Sequence, residues 1–77
     1  MKAVVWSKNN CAYCTQAKQL LKANLITFTE CNIDTTASIA DLQLAVPGAR
    51  TVPQIFIDNT LIGGFLELKT YLQKALP

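Results

Sequence analysis

The chain has 77 residues, of which 51% are hydrophobic and 16% charged, with only three glycines and three prolines. This length predicts a single domain over residues 1–77, and this composition excludes a disordered or fibrous protein. The cations behind the net charge of +2 are scattered, which argues against a nucleic-acid-binding surface, and the absence of histidine excludes Ser-His and Cys-His catalytic pairs.

Two strands and a helix are predicted in the first part of the chain. Residues 3–6 are apolar and rich in β-branched side chains, which indicates a buried first strand. Between residues 12 and 23 apolar positions recur at three- and four-residue steps, which predicts a helix with one apolar face. Asn24 is expected to end this helix in the left-handed conformation. Residues 26–33 alternate between two faces and predict a second strand.

The next segment predicts a second helix. Its N-cap is expected among three short polar residues, because such side chains accept hydrogen bonds from the first N–H groups of a helix. These candidates are Asp34, Thr35 and Thr36. The apolar positions then continue at helical spacing as Ile39, Leu42 and Val46. Pro47-Gly48 is expected to end the helix.

A hairpin and a last helix complete the predicted elements. Residues 54–57 and 60–62 flank Asp58-Asn59, which tolerate positive φ, so we expect two antiparallel strands joined by a tight turn. After Gly63-Gly64, the apolar face of the last helix is formed by Leu68, Leu72, Ala75 and Leu76. The order strand, helix, strand, helix, strand, strand, helix predicts an α/β fold. Its mixed four-stranded sheet would have a parallel first pair of strands and helices on both faces.

The residues most able to carry chemistry are the three cysteines, Cys11, Cys14 and Cys31. An odd number argues against the disulfide framework of a secreted domain, and three are too few for a four-ligand zinc site, so we expect no metal. The roles that remain for the cysteines are redox chemistry and packing. Cys31 is interpreted as a small buried hydrophobe, with glutathionylation or cross-linking of a dimer as the alternative.

The longest apolar run has four residues, too short for a signal peptide or a membrane span, so we expect a cytoplasmic protein.

Cys11 and Cys14 lie where the loop after the first strand enters the first helix. Free N–H groups and the helix dipole favour an anion there, and Lys8 adds a positive charge, so Cys11 is predicted to be a partly ionised nucleophile. Cys14, one turn into the helix, is predicted to resolve the mixed disulfide that Cys11 forms. A chance pair at this spacing has a probability of about one in thirteen, so it is the position at a helix start that favours the redox interpretation.

Two further features flank the predicted hairpin: Val52-Pro53 lies before it and Gly63-Gly64 lies after it. Pro53 lacks the N–H that a strand interior needs, so it is expected at the start of a strand. The Val52–Pro53 bond is a candidate cis peptide, although a trans proline is the commoner case. A cis bond would turn the backbone groups of Val52 outward, where they can pair with an extended peptide. Gly63-Gly64 would let the backbone approach an anionic ligand closely, and the exit turn of the hairpin explains these glycines about as well.

Three motifs follow one another along the chain. They are Ser7-Lys8-Asn9-Asn10-Cys11-Ala12-Tyr13-Cys14, Arg50-Thr51-Val52-Pro53 and Gly63-Gly64. In this order and spacing they closely resemble the glutaredoxin family, in its small dithiol bacterial or bacteriophage form, over essentially the whole chain. The resemblance implies a thioredoxin-like fold and a glutathione-dependent thiol–disulfide oxidoreductase. This enzyme would reduce protein disulfides and glutathione mixed disulfides, with Cys11 attacking and Cys14 resolving.

The resemblance also implies a glutathione site. Its residues would be Lys8, Tyr13, Arg50, Thr51, Val52, Pro53, Gly64, Phe65 and Leu66. Lys8 and Tyr13 would flank glutathione, Val52 would pair with its backbone, and Gly64 with Phe65 would donate N–H groups to its γ-glutamyl carboxylate. Glutathione would be the reducing co-substrate. The expected partners of a monomer are disulfide-bearing proteins, with ribonucleotide reductase as a candidate, and a glutathione or thioredoxin reductase system.

Two positions depart from the family's pattern. Ala12 follows the first cysteine where the family commonly has proline, and it adds a backbone donor near the thiolate. In the family, replacement of that proline is associated with a dimer that holds an iron–sulfur cluster through glutathione, so such a dimer is the alternative function. Leu66 stands where the family commonly has an acidic residue, so recognition of the glutathione amino group would fall to backbone groups and Glu67. A weakened glutathione site would suit reduction by thioredoxin reductase.

Overall fold

Four strands and three helices alternate along the part of the chain that the computed structural model describes, residues 1–75. In chain order they are β1 (Lys2–Ser7), α1 (Ala12–Ala23), β2 (Thr27–Asn32), α2 (Ile39–Ala45), β3 (Gln54–Ile57), β4 (Thr60–Gly63) and α3 (Phe65–Ala75). The predicted order is confirmed, with small differences at the ends of elements. The expected contribution of Leu76 to the last helix lies outside the described residues. Within residues 1–75, every helix is too short or too polar to cross a membrane.

The strands form one mixed sheet in the order β2-β1-β3-β4. β1 runs parallel to β2, with Val4 opposite Thr29, because α1 carries the chain back to the edge where β1 began. β3 runs antiparallel to both β1 and β4, and it places Phe56 opposite Val4. Asp58 and Asn59 form the turn between β3 and β4 with φ of 48° and 68°. The predicted hairpin is therefore confirmed.

Helices cover both faces of the sheet, and α1 and α3 share one of them. The buried residues of this face are Ala3, Val5, Ile55 and Ile57 from the strands and Ala17, Leu21, Leu68 and Leu72 from the helices. On the opposite face, Leu42 of α2 packs with Trp6 and Phe56. Val5 and Trp6 belong to different layers because successive side chains of a strand alternate between its faces. The buried stripe of α1 fixes that helix to the sheet and so sets the position of its first turn.

The end of α1 is a Schellman motif built around Leu25. Asn24 has a φ of −96°, whereas Leu25 has a φ of 58°. The N–H of Ile26 donates to the carbonyl of Leu21 at 2.9 Å, and the N–H of Leu25 donates to that of Lys22 at 3.0 Å. The prediction that Asn24 takes the left-handed conformation is therefore wrong. The reversal occurs one residue later because Ile26 must turn back to join Leu21 in the core.

The left-handed backbone of Leu25 leads to a prediction about stability. In this conformation the Cβ of an L-residue crowds the next carbonyl, and the Leu25 side chain is 93% exposed, so it has little packing to lose. Leu25→Gly is expected to raise the free energy of unfolding by about 1 kcal/mol, as measured by urea unfolding. Leu25→Ala is the control, since it removes the same side chain but keeps Cβ. An equal gain in both variants would assign the effect to the exposed side chain instead of the backbone.

The start of α2 differs from the prediction. Its N-cap is Ser38, whose Oγ accepts a hydrogen bond from the N–H of Asp41 at 3.1 Å, while Asp41 Oδ2 accepts one from the N–H of Ser38 at 3.0 Å. This capping box follows the Ser-x-x-acid spacing, which is the sequence signal for the true start. Ile39, expected on the buried face, is 59% exposed, and Leu42 is the buried residue of α2. The predicted N-caps lie instead in the preceding turn, at Asp34, Thr35 and Thr36.

Candidate active site

Cys11 and Cys14 form a disulfide at the start of α1. Cys11 is the N-cap residue, with an extended backbone (φ −121°, ψ 104°), and the N–H of Cys14 donates to its Sγ at 3.1 Å. The three-residue spacing within one turn places the two Cα atoms 5.2 Å apart. Cys14 is 1% exposed, whereas Cys11 is only partly buried. The structure therefore joins the pair that the sequence singles out and leaves the sulfur of Cys11 as the more accessible one.

The surroundings of Cys11 favour an anionic sulfur once the disulfide is reduced. The positive end of the α1 dipole lies at this residue, and the first turn of α1, which is fully described, contains no acidic side chain. The N–H of Cys14 is already directed at the sulfur and would donate to a thiolate. The donor role expected of the Ala12 N–H stays a prediction. These features make Cys11 the candidate nucleophile of the pair.

The loop that presents Cys11 is held by the last residue of β2 and by the turn that follows this strand. The N–H of Asn9 donates to Oδ2 of Asp34 at 2.9 Å, and Nδ2 of Asn32 donates to Oδ1 of Asn9 at 3.1 Å. Asn10 has a φ of 53°, which asparagine tolerates better than most residues. Sequence reasoning missed this use of Asp34. A signal existed, because polar residues that follow two parallel neighbouring strands meet at the same edge of the sheet.

A polar contact ties α1 to the central strands. Oε2 of Glu30 accepts a hydrogen bond from Oγ of Ser7 at 2.6 Å and another from Nζ of Lys18 at 2.8 Å. Ser7 is completely buried, so its hydroxyl needs a partner of this kind. The hydrogen bond from Lys18, followed by that from Ser7, lowers the pKa of the Glu30 carboxyl below its ordinary value of 4.5. Glu30 thus links β1, β2 and α1 through its charged form.

The lowered pKa of Glu30 predicts a dependence of stability on pH. A carboxyl whose pKa is lower in the folded than in the unfolded protein stabilises the fold above the unfolded value, and this contribution is lost as pH falls through the folded value. Glu30→Gln is therefore expected to lower the free energy of unfolding by roughly 1 kcal/mol at pH 7 and by much less near pH 3. Urea unfolding at both pH values measures the difference. A deficit of equal size at both would contradict this role of the charge.

Two clefts meet at Thr51 and Val52. The first has a volume of about 300 Å³ and is lined by Tyr13, Thr51, Val52, Pro53, Gly64, Phe65, Leu66 and Glu67. The second has a volume of about 580 Å³, and its lining includes Lys8, Arg50, Thr51 and Val52. Every residue that the sequence predicts for the glutathione site therefore lines one cleft or the other. Their binding of glutathione stays a prediction.

The wall shared by the two clefts lies against the disulfide. The carbonyl oxygen of Val52 is 3.9 Å from Sγ of Cys11. The Val52–Pro53 peptide bond is cis, and Pro53 is buried directly before β3. The candidate cis bond is therefore confirmed, and the trans alternative is wrong. The carbonyl group of Val52 thus lies beside the sulfur, and the pairing of this backbone with a peptide-like substrate stays a prediction.

An aromatic pair forms part of the first cleft. The rings of Tyr13 and Phe65 stack with their centroids 5.9 Å apart and their planes 24° apart. Tyr13 is 57% exposed and Leu66 is 61% exposed, so much apolar surface remains open to solvent beside the cysteine pair. This surface can cover the apolar part of a substrate that flanks its disulfide.

Gly63 and Gly64 leave room for the side chain of Glu67. Gly63 has a φ of 124°, a conformation that favours glycine, and a Cβ built on it would lie 3.0 Å from Cγ of Glu67. A Cβ on Gly64 would lie 3.1 Å from Oε1 of Glu67. The N–H of Gly64 donates to that same oxygen at 2.8 Å. The close approach expected of a ligand is thus made by the protein's own carboxylate, and the ligand contact of Gly64 stays a prediction.

Cys31 lies on the edge strand β2 as a free thiol. It is partly exposed, so the interpretation as a small buried hydrophobe is wrong. An edge strand shields a side chain less than a central one. Partial burial, followed by the carboxylate of Glu30, raises the pKa of the Cys31 thiol. A thiol of this kind is largely un-ionised at neutral pH and is a poor nucleophile.

Comparisons with known proteins agree on one family. Residues 3–62 match the family model described as Glutaredoxin. Glutaredoxin 3 of Escherichia coli K12 is 42% identical over 60 residues, which cover 78% of this chain and 72% of that protein. The crystal structure of glutaredoxin 1 from Francisella tularensis complexed with cacodylate is 40% identical, with a TM-score of 0.81 over 97% of this chain and 95% of that one. A buckwheat glutaredoxin–glutathione complex is 30% identical, with a TM-score of 0.79 over 95% and 69% of the two chains.

These matches agree with the geometry of the site. The sheet and the three helices correspond to the thioredoxin-like fold of the similar glutaredoxins, as expected. The family match includes Cys11, Cys14 and the Val52–Pro53 bond. A cysteine pair at the start of a helix, with one partly exposed and one buried residue, is suited to thiol–disulfide exchange. The chain therefore belongs to the glutaredoxin family and is a thiol–disulfide oxidoreductase with a redox-active cysteine pair.

Proposed function

We propose that this oxidoreductase uses glutathione as its reducing co-substrate and reduces both protein disulfides and mixed disulfides of proteins with glutathione. The observation that carries the proposal is the disulfide between Cys11 and Cys14. Cys11 is partly exposed, whereas Cys14 is only 1% exposed. An accessible sulfur can exchange with a substrate while its partner is shielded from it. The glutathione complex of the similar buckwheat glutaredoxin supports the choice of glutathione.

Reduction of a glutathione mixed disulfide needs only Cys11. Its thiolate attacks the glutathione sulfur, a bond forms between Cys11 and glutathione, and the protein substrate leaves as a thiolate. The thiolate of a second glutathione molecule then attacks the glutathione sulfur of this adduct. The products are glutathione disulfide and the regenerated thiolate of Cys11. Two electrons pass from glutathione to the substrate in each cycle.

Reduction of a protein disulfide uses Cys14 as well. Cys11 attacks one sulfur of the substrate and forms a mixed disulfide with it, while the other substrate sulfur leaves as a thiolate and takes up a proton. Cys14 then loses its proton and attacks Sγ of Cys11, which releases the second substrate thiol and leaves the Cys11–Cys14 disulfide. Two glutathione molecules reduce this disulfide and become glutathione disulfide. The 5.2 Å between the two Cα atoms supports the closing step.

In the proposed complex, glutathione lies along Thr51 and Val52 and reaches into both clefts. The backbone of Val52 pairs with the peptide, since its carbonyl oxygen lies 3.9 Å from the sulfur that the substrate must reach. Lys8 and Arg50 of the second cleft would attract a carboxylate. Ribonucleotide reductase as an electron acceptor, the monomeric state and a cytoplasmic location stay predictions. The structure of residues 1–75 adds no observation in favour of the cluster-bridged dimer, an alternative that rests on Ala12 alone.

The reductant is tested by a competition between two electron-donor systems. The protein is supplied with NADPH and either glutathione with glutathione reductase or thioredoxin reductase alone, and NADPH consumption is followed with a glutathione mixed disulfide as substrate. We expect sustained turnover with glutathione and little with thioredoxin reductase. Cys31→Ser, which removes the free thiol, is the matched control and is expected to keep full activity. Turnover that depends on thioredoxin reductase and ignores glutathione would contradict the proposal.

A further inference from the structure

The first turn of α3 holds an internal carboxylate at the place where, under the proposed function, a substrate carboxylate would bind. Oε1 of Glu67 accepts a hydrogen bond from the N–H of Gly64 at 2.8 Å. Glu67 is the acidic residue in the first turn of α3, so its charge also lies near the positive end of that helix dipole. The same residue lines the first cleft together with Tyr13 and Val52.

The resemblance led us to expect that Glu67 receives the amino group of glutathione. We propose instead that Glu67 competes with the γ-glutamyl carboxylate for the N–H of Gly64 and thereby weakens the binding of glutathione. The inference rests on the proposed function, because glutathione is the ligand whose γ-glutamyl carboxylate is expected at Gly64 and Phe65. An incoming carboxylate must either displace Glu67 or bind beside it to the remaining N–H groups of the turn. Displacement breaks an existing hydrogen bond, and binding beside it brings two like charges together. Both routes weaken the binding of a carboxylate.

The two glycines of the turn, Gly63 and Gly64, permit the hydrogen bond between Glu67 and the N–H of Gly64. A Cβ on Gly63 would lie 3.0 Å from Cγ and 3.1 Å from Cβ of Glu67, and one on Gly64 would lie 3.1 Å from Oε1. Side chains at these two positions would therefore push Glu67 away from the amide. The absence of both lets the Glu67 side chain fold back over the turn and reach the N–H of Gly64.

Among residues 1–75, the carboxylate of Glu67 has no salt-bridge partner. The salt bridge found within residues 1–75 joins Lys18 to Glu30 and does not involve Glu67. The neighbours of Glu67 in the first cleft are apolar or uncharged, whereas Lys8 and Arg50 line the second cleft. The negative charge of Glu67 therefore acts on whatever binds at this end of the site.

Two substitutions separate the charge of Glu67 from its hydrogen bond. Glu67→Gln keeps an acceptor oxygen for Gly64 but removes the charge, and Glu67→Ala removes both. The KM for the glutathione mixed disulfide, whose glutathione half is proposed to bind beside Cys11, is expected to fall by about three- to fivefold in Glu67→Ala and by a smaller factor in Glu67→Gln. With a mixed disulfide of cysteinylglycine, which lacks the γ-glutamyl group, the KM is expected to be the same in all three proteins.

A remote carboxylate provides the matched control. Asp58 lies in the turn between β3 and β4, where its Oδ1 accepts a hydrogen bond from the N–H of Lys2 at 2.9 Å, and it lines neither of the two clefts. Asp58→Asn removes one negative charge, keeps an acceptor oxygen and suits the φ of 48°. Its KM for the glutathione mixed disulfide is expected to equal that of the wild type, which excludes an effect of net charge alone.

The possible results distinguish a failure of this inference from a failure of the proposed function. A KM for the glutathione mixed disulfide that rises or stays constant in both Glu67 variants overturns the inference and leaves the proposed function intact. An equal fall with the cysteinylglycine mixed disulfide also overturns it, because the effect would not depend on the γ-glutamyl carboxylate. A wild-type protein that does not turn over glutathione, but reduces insulin with dithiothreitol, overturns the proposed function and this inference together. Thermal unfolding checks each variant, and Glu67→Gln decides the matter if Glu67→Ala does not fold.

Discussion

Cys11→Ser is expected to lower the reduction of a glutathione mixed disulfide by at least about a thousandfold, whereas Cys14→Ser is expected to keep a substantial part of it. A serine hydroxyl does not ionise near neutral pH, so the N–H of Cys14 and the dipole of α1 would have no anion to stabilise. Cys14 cannot take over the attack, because it is 1% exposed. Reduction of a protein disulfide such as that of insulin is expected to fail in both variants, since its closing step needs both sulfurs.

The remaining cysteine is an internal control for this experiment. Cys31→Ser is expected to leave both activities unchanged, because Cys31 is outside the disulfide pair. In the Cys14→Ser protein, alkylation of Cys11 by iodoacetamide should persist to lower pH than alkylation of Cys31, whose thiol has a raised pKa. Equal mixed-disulfide activity in Cys11→Ser and Cys14→Ser would contradict the assigned roles. So would alkylation of the two thiols with the same dependence on pH.

Local patterns in the sequence were enough to predict most of the fold. The helical spacing of apolar residues between positions 12 and 23 corresponds to α1 (Ala12–Ala23), whose buried face holds Ala17 and Leu21. Asp58 and Asn59 indicated the hairpin because both tolerate positive φ, and both have it. In each case the structure follows from interactions among residues that are close in sequence. Such signals are visible without knowledge of the tertiary fold.

The errors concern residues whose partners are set by tertiary structure. Leu25 takes the left-handed conformation against its intrinsic preference, because Ile26 must return to the core. Asp34 is of a residue type that is favoured at helix N-caps, but the register of β1 and β2 brings its carboxylate to the N–H of Asn9 instead. Glu67 reaches Gly64 because two glycines leave space for it. Composition alone cannot choose among several nearby donors for one carboxylate.

The residues of the candidate site were predicted partly from local sequence patterns and partly from the resemblance to a family. The reactivity of Cys11 followed from its position at a helix start, which the sequence pattern shows. The residues of the two clefts came from the resemblance to a family, because no periodicity relates Lys8, Arg50 and Gly64. Only the folded chain brings the clefts together at Thr51 and Val52. The competing role of Glu67 required the hydrogen bond itself.

Leu21→Ala is expected to lower the free energy of unfolding by about 2–5 kcal/mol. Leu21 is completely buried between α1 and the sheet, so the substitution leaves a cavity in a small core. A small domain has a total stability of about 5–15 kcal/mol, so the loss is a large fraction of it. Urea unfolding of the reduced protein, followed through the fluorescence of Trp6, measures the change. Leu21→Met, which nearly conserves volume, is expected to cost less than about 1.5 kcal/mol and keeps the comparison measurable if the alanine variant is unfolded.

An exposed leucine provides the control for this prediction. Leu44, on α2, is 82% exposed, and Leu44→Ala is expected to change stability by no more than about 0.5 kcal/mol. Because α1 is held to the sheet through Leu21, its loosening should also uncover Cys14, and the alkylation of Cys14 in the reduced protein should accelerate in Leu21→Ala but not in Leu44→Ala. Equal destabilisation by the two substitutions would contradict the burial argument. Destabilisation by Leu21→Ala without faster alkylation would show that α1 does not control access to the resolving thiol.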